Sequence, residues 1–261
     1  MFKAVWQYRH FIASSIKSEI KSRFVRSYFG AAWFILQPLA QSAIIALALS
    51  EVLAAKMPNM TNQAGYAIYL MAGMAAWSLF SEITNRCTTV FMDYSSTLKK
   101  IAFPRLCLPI IVGGVALINH LMLIIAVIVV YAFLGHYPQM AWLSILPAAF
   151  IIVCFAFGLG LFVGLFNVFA RDVGHVFNIT IQFWFWLTPI IYFKESLPKE
   201  YQSWIAFNPM APLIKVYQDA LVNGLWPDWQ LLLTPALIAV GLLILAFYTF
   251  RQASPELVDA L

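Results

Sequence analysis

The chain has 261 residues, of which 62% are apolar, 16% aromatic and only 10% charged, and its mean hydropathy is +0.82. An ordinary soluble domain is about 45–50% apolar and about 25% charged, so a soluble globule cannot hide this much apolar surface. Intrinsic disorder, which needs low hydrophobicity and high charge, is excluded by the same figures. The net charge of +5 comes from 16 Lys and Arg against 11 Asp and Glu. What remains is a polytopic, all-α integral membrane protein forming a single transmembrane domain over residues 1–261.

Residues 1–27 are too charged to span a bilayer. Phe2, Val5, Trp6, Ile12, Ile16, Ile20 and Phe24 fall on one arc at 100° per residue, with Lys3, Lys17, Lys21 and Arg26 off it. That pattern predicts an amphipathic helix lying in the membrane–water interface and touching lipid. A spanning helix needs about 20 mostly apolar residues, and the formal charges mark out the candidates. Ser27–Ser50 is the first uncharged run and Met57–Ser81 the second.

A connector, residues 93–105, follows: Asp93, Tyr94, Ser95, Ser96, Thr97, Leu98, Lys99, Lys100, Ile101, Ala102, Phe103, Pro104 and Arg105. Pro104 should end any helix there, and Leu98 and Phe103 stand out as apolar residues in a polar segment. From Leu106 to Ala170 no formal charge appears, which is too long for one helix. Gly135, His136, Tyr137 and Pro138 predict a turn that divides it into spans three and four. Val173–Phe193 is the fifth run and Trp229–Phe250 the sixth.

Between them, residues 194–228 carry Pro198, Pro209 and Pro212 with Tyr201, Trp204, Phe207, Tyr217 and Trp226. The segment is too apolar for a free loop and too broken for a span. Short helices lying in or dipping into the outer interface are expected, their irregular backbone covered by protein or facing water. Six spans put both termini on one side. With the amino terminus in the cytoplasm, twelve Lys and Arg lie inside, and Lys56, Lys194, Lys199 and Lys215 lie outside. The positive-inside rule therefore places both termini in the cytoplasm. The first apolar run is too long and starts too late for a cleaved signal peptide, so an intact amino terminus is expected.

Several chemistries are missing. There is no Gly-x-x-x-x-Gly-Lys-[Ser/Thr], so no nucleotide is bound through a P-loop. No two carboxylates sit two apart. Cys87, Cys107 and Cys154 match no metal spacing and read as buried small side chains. Arg171 and Asp172 read as an ion pair at the cytoplasmic interface. His120, inside a span, is expected to stay neutral and hydrogen-bonded within the bundle. Gly160 and Gly164, extended by Ala156, predict close helix packing.

These pieces resemble a family. Arg23-Phe24-Val25-Arg26-Ser27-Tyr28-Phe29-Gly30-Ala31-Ala32-Trp33 with Gln37-Pro38, then Leu98–Arg105 ending in Leu108-Pro109, then Asn167 with Arg171-Asp172, and last Thr188-Pro189-Ile190-Ile191-Tyr192 with Leu197-Pro198 and Asn208-Pro209 occur in order along nearly the whole chain. The set is similar to the membrane subunit of type-2 ABC exporters, most closely the O-antigen and polysaccharide export permeases.

The resemblance implies a homodimer in the bacterial inner membrane, with two separate ATPase subunits that bind ATP and Mg. No cofactor is expected in this chain, no metal site and no nucleic-acid partner. The substrate it implies is a polyprenyl-linked polysaccharide. Tyr94, Leu98, Lys99, Lys100, Phe103, Pro104 and Arg105 would form the contact with the ATPase. Trp33 and Phe34 in the first span, and Phe183, Trp184, Trp186 and Tyr192 in the fifth, would line the path, where aromatic faces stack on sugar rings. A helix cannot turn four consecutive residues to one side, so at most half of Phe183–Trp186 can face it, and an interfacial aromatic belt or ordinary core packing is the alternative. Pro198, Trp204, Asn208 and Pro209 would belong to an external gating region. The same residues leave open export of capsule, teichoic acid, drug or lipid. A membrane enzyme acting on polyprenyl-linked sugars would need the paired carboxylates that are lacking.

Overall fold

In the computed structural model, which describes residues 6–25, 32–53, 63–100 and 103–254, the chain is a helical bundle with no strand among those residues. The helices are α1 (Arg9–Val25), α2 (Ala32–Leu53), α3 (Gln63–Asp93), α4 (Ser95–Lys100), α5 (Cys107–Phe133), α6 (Ile145–Phe169), α7 (Asp172–Trp186), α8 (Lys199–Ala206), α9 (Met210–Gln218) and α10 (Leu233–Ala253). Four spans, Gly65–Asp93, Cys107–Phe133, Met140–Phe169 and Trp229–Ala253, are long and apolar enough to cross a bilayer by length and composition. The apolar part of α2 is shorter, Leu36–Ala48. Phe2, Val5, Arg26–Ala31, Lys56, Ile101 and Ala102 lie outside the described residues, as do the side chains of Phe24, Phe34 and Lys100.

The long uncharged run divides at its turn: α5 stops at Phe133 and Gly135 takes φ +79°, a left-handed conformation that glycine adopts freely. The fifth run does not stay helical to its end. α7 stops at Trp186, because Pro189 disfavours a helical residue before it. The turns that follow expose carbonyls inside the bundle, and side chains satisfy them. Tyr66 donates its hydroxyl to Ile191 O at 2.9 Å, and Gln218 Nε2 donates to Pro189 O at 3.2 Å. The Tyr69 hydroxyl sits between Pro189 O and Tyr192 O at 3.4 and 3.3 Å. Irregular backbone at membrane depth needs such cover.

α3 lies at the centre, packed on α2, α5, α6 and α9, and α10 covers the far side of α6. Small residues make this possible. A Cβ on Gly160 would stand 2.8 Å from Thr84 O, one on Gly164 2.5 Å from Cys87 O, and one on Gly158 2.8 Å from the Leu242 backbone. α6 therefore touches α3 with one face and α10 with another at backbone distance, the device by which membrane helices gain packing without a hydrophobic driving force.

α8 lies on the surface with Trp204 exposed, whereas seven residues of α9 are buried. α9 reaches the level of His120, midway along α5, where the Tyr217 hydroxyl and His120 Nε2 are hydrogen-bonded at 3.0 Å. α1 rests on α5 through a small separate cluster: Ile12 is buried with Cys107 and Ile111, and Ile16 and Phe103 pack beside it.

Candidate functional site

α3 runs on unbroken past Ser81, so Glu82 and Arg86 lie within the helix; the sequence had the uncharged run end before Glu82. The charge is tolerated there because Arg86, one turn on, stands 3.7 Å from it, and Asn119 Nδ2 donates to Glu82 Oε1 at 2.6 Å. Arg86 also pairs with Glu19 of α1. Ser78, Ser81, Glu82 and Asn85 recur at the spacing of one helical face, and that face opens a cavity of about 490 Å³ between α2, α3, α5 and α7.

Amides line much of the rest, beside the apolar Pro38, Met74, Leu79, Leu123 and Ile181. Gln37 and Gln41, one turn apart, come from α2, Asn119 from α5, and Asn178 and Gln182, again one turn apart, from α7. Gln182 Nε2 donates to Asn178 Oδ1 at 3.1 Å, which aligns the α7 pair. His120, Trp77, Phe185 and Trp186 complete the wall. Each neutral amide donates and accepts, so the amides can hydrogen-bond a polyhydroxylated ligand, with Glu82 as the charged group of the lining. None of the amides was anticipated as a site residue, although their i, i+4 spacing was in the sequence.

The expected aromatic path residues divide. Trp186 lines the cleft and Phe183 is exposed on another face of α7. Trp33 is exposed near the start of α2, and Tyr192 is half-buried in the turn after α7. Phe185, another of the four consecutive aromatics, borders the cleft. Trp184 turns into the core, edge-on to Trp77, Phe80 and Phe155 at centroid distances of 6.4, 5.3 and 6.1 Å. Its indole Nε1 donates to Asn208 Oδ1 at 3.0 Å.

Asn208 is the knot between α7 and the segment beyond it. Its Oδ1 also accepts from Met210 N at 3.0 Å, and its Nδ2 donates to Thr188 Oγ1 at 2.9 Å. Pro198 and Pro209 precede the first residues of α8 and α9. Trp184 is partly buried, so Trp184→Ala is expected to cost about 3 kcal/mol, the lower end for truncation of a core aromatic. Trp184→Phe keeps the ring but leaves Asn208 one donor short, at about 1 kcal/mol. Thermal unfolding of the purified variants checks the order.

In the connector, Leu98 is buried against the chain's own core and Phe103 lies under Phe11 of α1, ring centroids 5.4 Å apart. Leu98 is thus taken up within the chain, whereas Phe103 is half-buried and keeps part of its surface open. The exposed residues there are Asp93, Ser96 and Lys99; Tyr94, Pro104 and Arg105 are half-buried. Arg105 Nη1 donates to Ser254 Oγ at 3.2 Å, tying the connector to the end of α10. Arg171 and Asp172 form no ion pair: both are exposed, and successive residues at a helix start point apart. Asp172 instead occupies the first turn of α7, where the helix dipole favours an acid. Asn167 is the structural residue of that region, accepting from Gly174 N at 2.8 Å and donating to Thr88 O at 3.0 Å.

The profile of the family described as "ABC-2 type transporter" matches residues 11–222. The chain is 28% identical over 210 residues to the "O-antigen export system permease protein RfbA" of Klebsiella pneumoniae, covering 79% of this chain and 78% of that protein. It is 25% identical over 265 residues to a protein of the same name from Myxococcus xanthus, covering 100% and 99%. With the "Polysialic acid transport protein KpsM" of Escherichia coli it shares 19% identity over 207 residues, 79% of each chain.

Proposed function

The chain belongs to the ABC-2 type transporter family, whose members are transport permeases and not enzymes, and from that premise we propose that it is the membrane subunit of an ATP-driven exporter of lipid-linked polysaccharide of the O-antigen class. The observation that carries this reading is the amide-lined cleft between α2, α3, α5 and α7. A glycan presents many hydroxyls and C–H faces and, in its neutral sugars, no charge. Gln37, Gln41, Asn85, Asn178 and Gln182 match the hydroxyls, and Trp186 and Phe185 offer faces for stacking. Many weak contacts let a polymer advance without one tight site. The proposed path is this cleft facing a second copy of the chain.

The motor is an ATPase of separate chains, two per dimer, docked at α4 and the connector through Asp93, Ser96 and Lys99 on its exposed side. α2 and α7 complete six spans in this reading, with both termini in the cytoplasm of a bacterial inner-membrane protein. Reporter fusions at Gln139 and Gln202 should lie outside and a fusion at Ser96 inside; a cytoplasmic Gln139 would contradict it. The similarity to a polysialic acid transport protein supports capsule polymer as a second reading. Deleting the gene separates the two: loss of O-antigen from the cell surface with capsule retained supports the first, and the reverse supports the second.

A further inference from the structure

One ion-pair chain joins α1 to the cleft. Arg86 Nη2 engages Glu19 of α1, while Arg86 Nη1 is buried without a hydrogen-bond partner, 3.7 Å from Glu82 Oε1. That same Oε1 accepts from Asn119 Nδ2 at 2.6 Å. Arg86 therefore has two carboxylates within reach, one firmly engaged and one loosely, and the loosely engaged one is held by an amide that lines the cleft. The three charged side chains remain 19–25% exposed, so water can enter and the pairing can change. α1 is the less firmly held partner: beyond this pair it packs on α5 through the small cluster of Ile12 and Ile16 and on Phe103 through Phe11, while Trp6 and Tyr8 stay exposed.

We propose that Arg86 is an exchangeable counter-ion: when α1 leaves α5, Arg86 passes from Glu19 to Glu82, and Asn119 is released to face the cleft. The hand-over never leaves the guanidinium without a carboxylate, which keeps the exchange cheap in a low-dielectric setting. It joins the position of the amino-terminal helix to the hydrogen-bonding capacity of the cleft wall. The role of Asn119 toward the glycan rests on the function proposed above; the exchange itself does not.

Cys107 reports the motion, since it is fully buried beneath Ile12. In a Cys87→Ala, Cys154→Ala background, purified full-length permease is treated with N-ethylmaleimide and the rate of Cys107 alkylation is measured. Glu19→Gln should accelerate it several-fold, because Arg86 then prefers Glu82 and α1 detaches. Glu82→Gln should slow it several-fold, because Glu19 becomes the sole carboxylate available to Arg86. Asn119→Ala removes the competitor for Glu82 and should accelerate it, which keeps the test alive where Glu82→Gln fails to fold.

A static staple predicts otherwise. Acceleration by Glu82→Gln, or rates unchanged in Glu82→Gln and Asn119→Ala, would overturn the exchange. Alkylation needs no glycan, so the predicted pattern in a complex that exports nothing would leave the exchange standing and remove the proposed function instead.

Discussion

Gly164→Leu should yield no folded permease. The Cβ alone would stand 2.5 Å from Cys87 O and 3.2 Å from the Thr88 Cα, both backbone atoms of α3 that cannot turn aside. Overpacking that side chains can absorb costs typically 1–3 kcal/mol; here two helices must separate. Their separation also breaks the Asn167–Thr88 hydrogen bond and opens the core formed by α3 and α6. The control is Gly241→Leu, since nothing lies within 4 Å of a Cβ built on Gly241. Recovery of monodisperse protein after detergent extraction should fall to background for the first and stay at the parent level for the second. Equal recovery would mean that α6 does not meet α3 at backbone distance.

Ser81→Trp is expected to have the largest effect on transport with the least on folding. Ser81 sits in the middle of the polar face of α3 and borders the cleft, and its hydroxyl bonds only its own helix, to Ser78 O at 3.3 Å. An indole there projects into open space rather than into packed neighbours, so the bundle survives. Surface polysaccharide should drop to the level of the deletion strain while complex recovery stays normal. Ser81→Ala should behave as the parent. Parent-level export by Ser81→Trp would remove the cleft from the path.

The division into helices was largely legible in charge and periodicity. The turn at Gly135, the close approach at Gly160 and Gly164, and the broken segment after Lys194 all follow from local sequence, since each depends on few neighbours. Resemblance carried the family. The cleft was not read, because an uncharged-run count treats Glu82 as a boundary; a carboxylate inside a helix becomes tolerable only when Arg86 and Asn119 are known to be near, and Asn119 is 37 residues away. Whether Trp184 meets the path or the core was open in the sequence for the same reason. Four consecutive aromatics fix that they point different ways, but the inward turn of Trp184 is set by Asn208 and by the rings of Trp77, Phe80 and Phe155 on other helices. Of the two apolar residues in the polar connector, Leu98 packs into the chain's own core and Phe103 is half-buried on Phe11, contacts that local sequence does not specify. α7 ends early because Pro189 overrides an apolar run whose composition alone would allow 21 residues of helix.

The most direct measurement of the central claim is transport in proteoliposomes. The permease is reconstituted with its ATPase subunits facing outward, and polyprenyl-linked O-antigen is placed in the outer leaflet. A glycosidase sealed inside the vesicles reports arrival of the polymer. The predicted result is polymer cleavage that requires ATP, requires the permease and is lost with Ser81→Trp. Polymer that stays intact with ATP and an assembled complex, or cleavage at the same rate without ATP, would contradict the account.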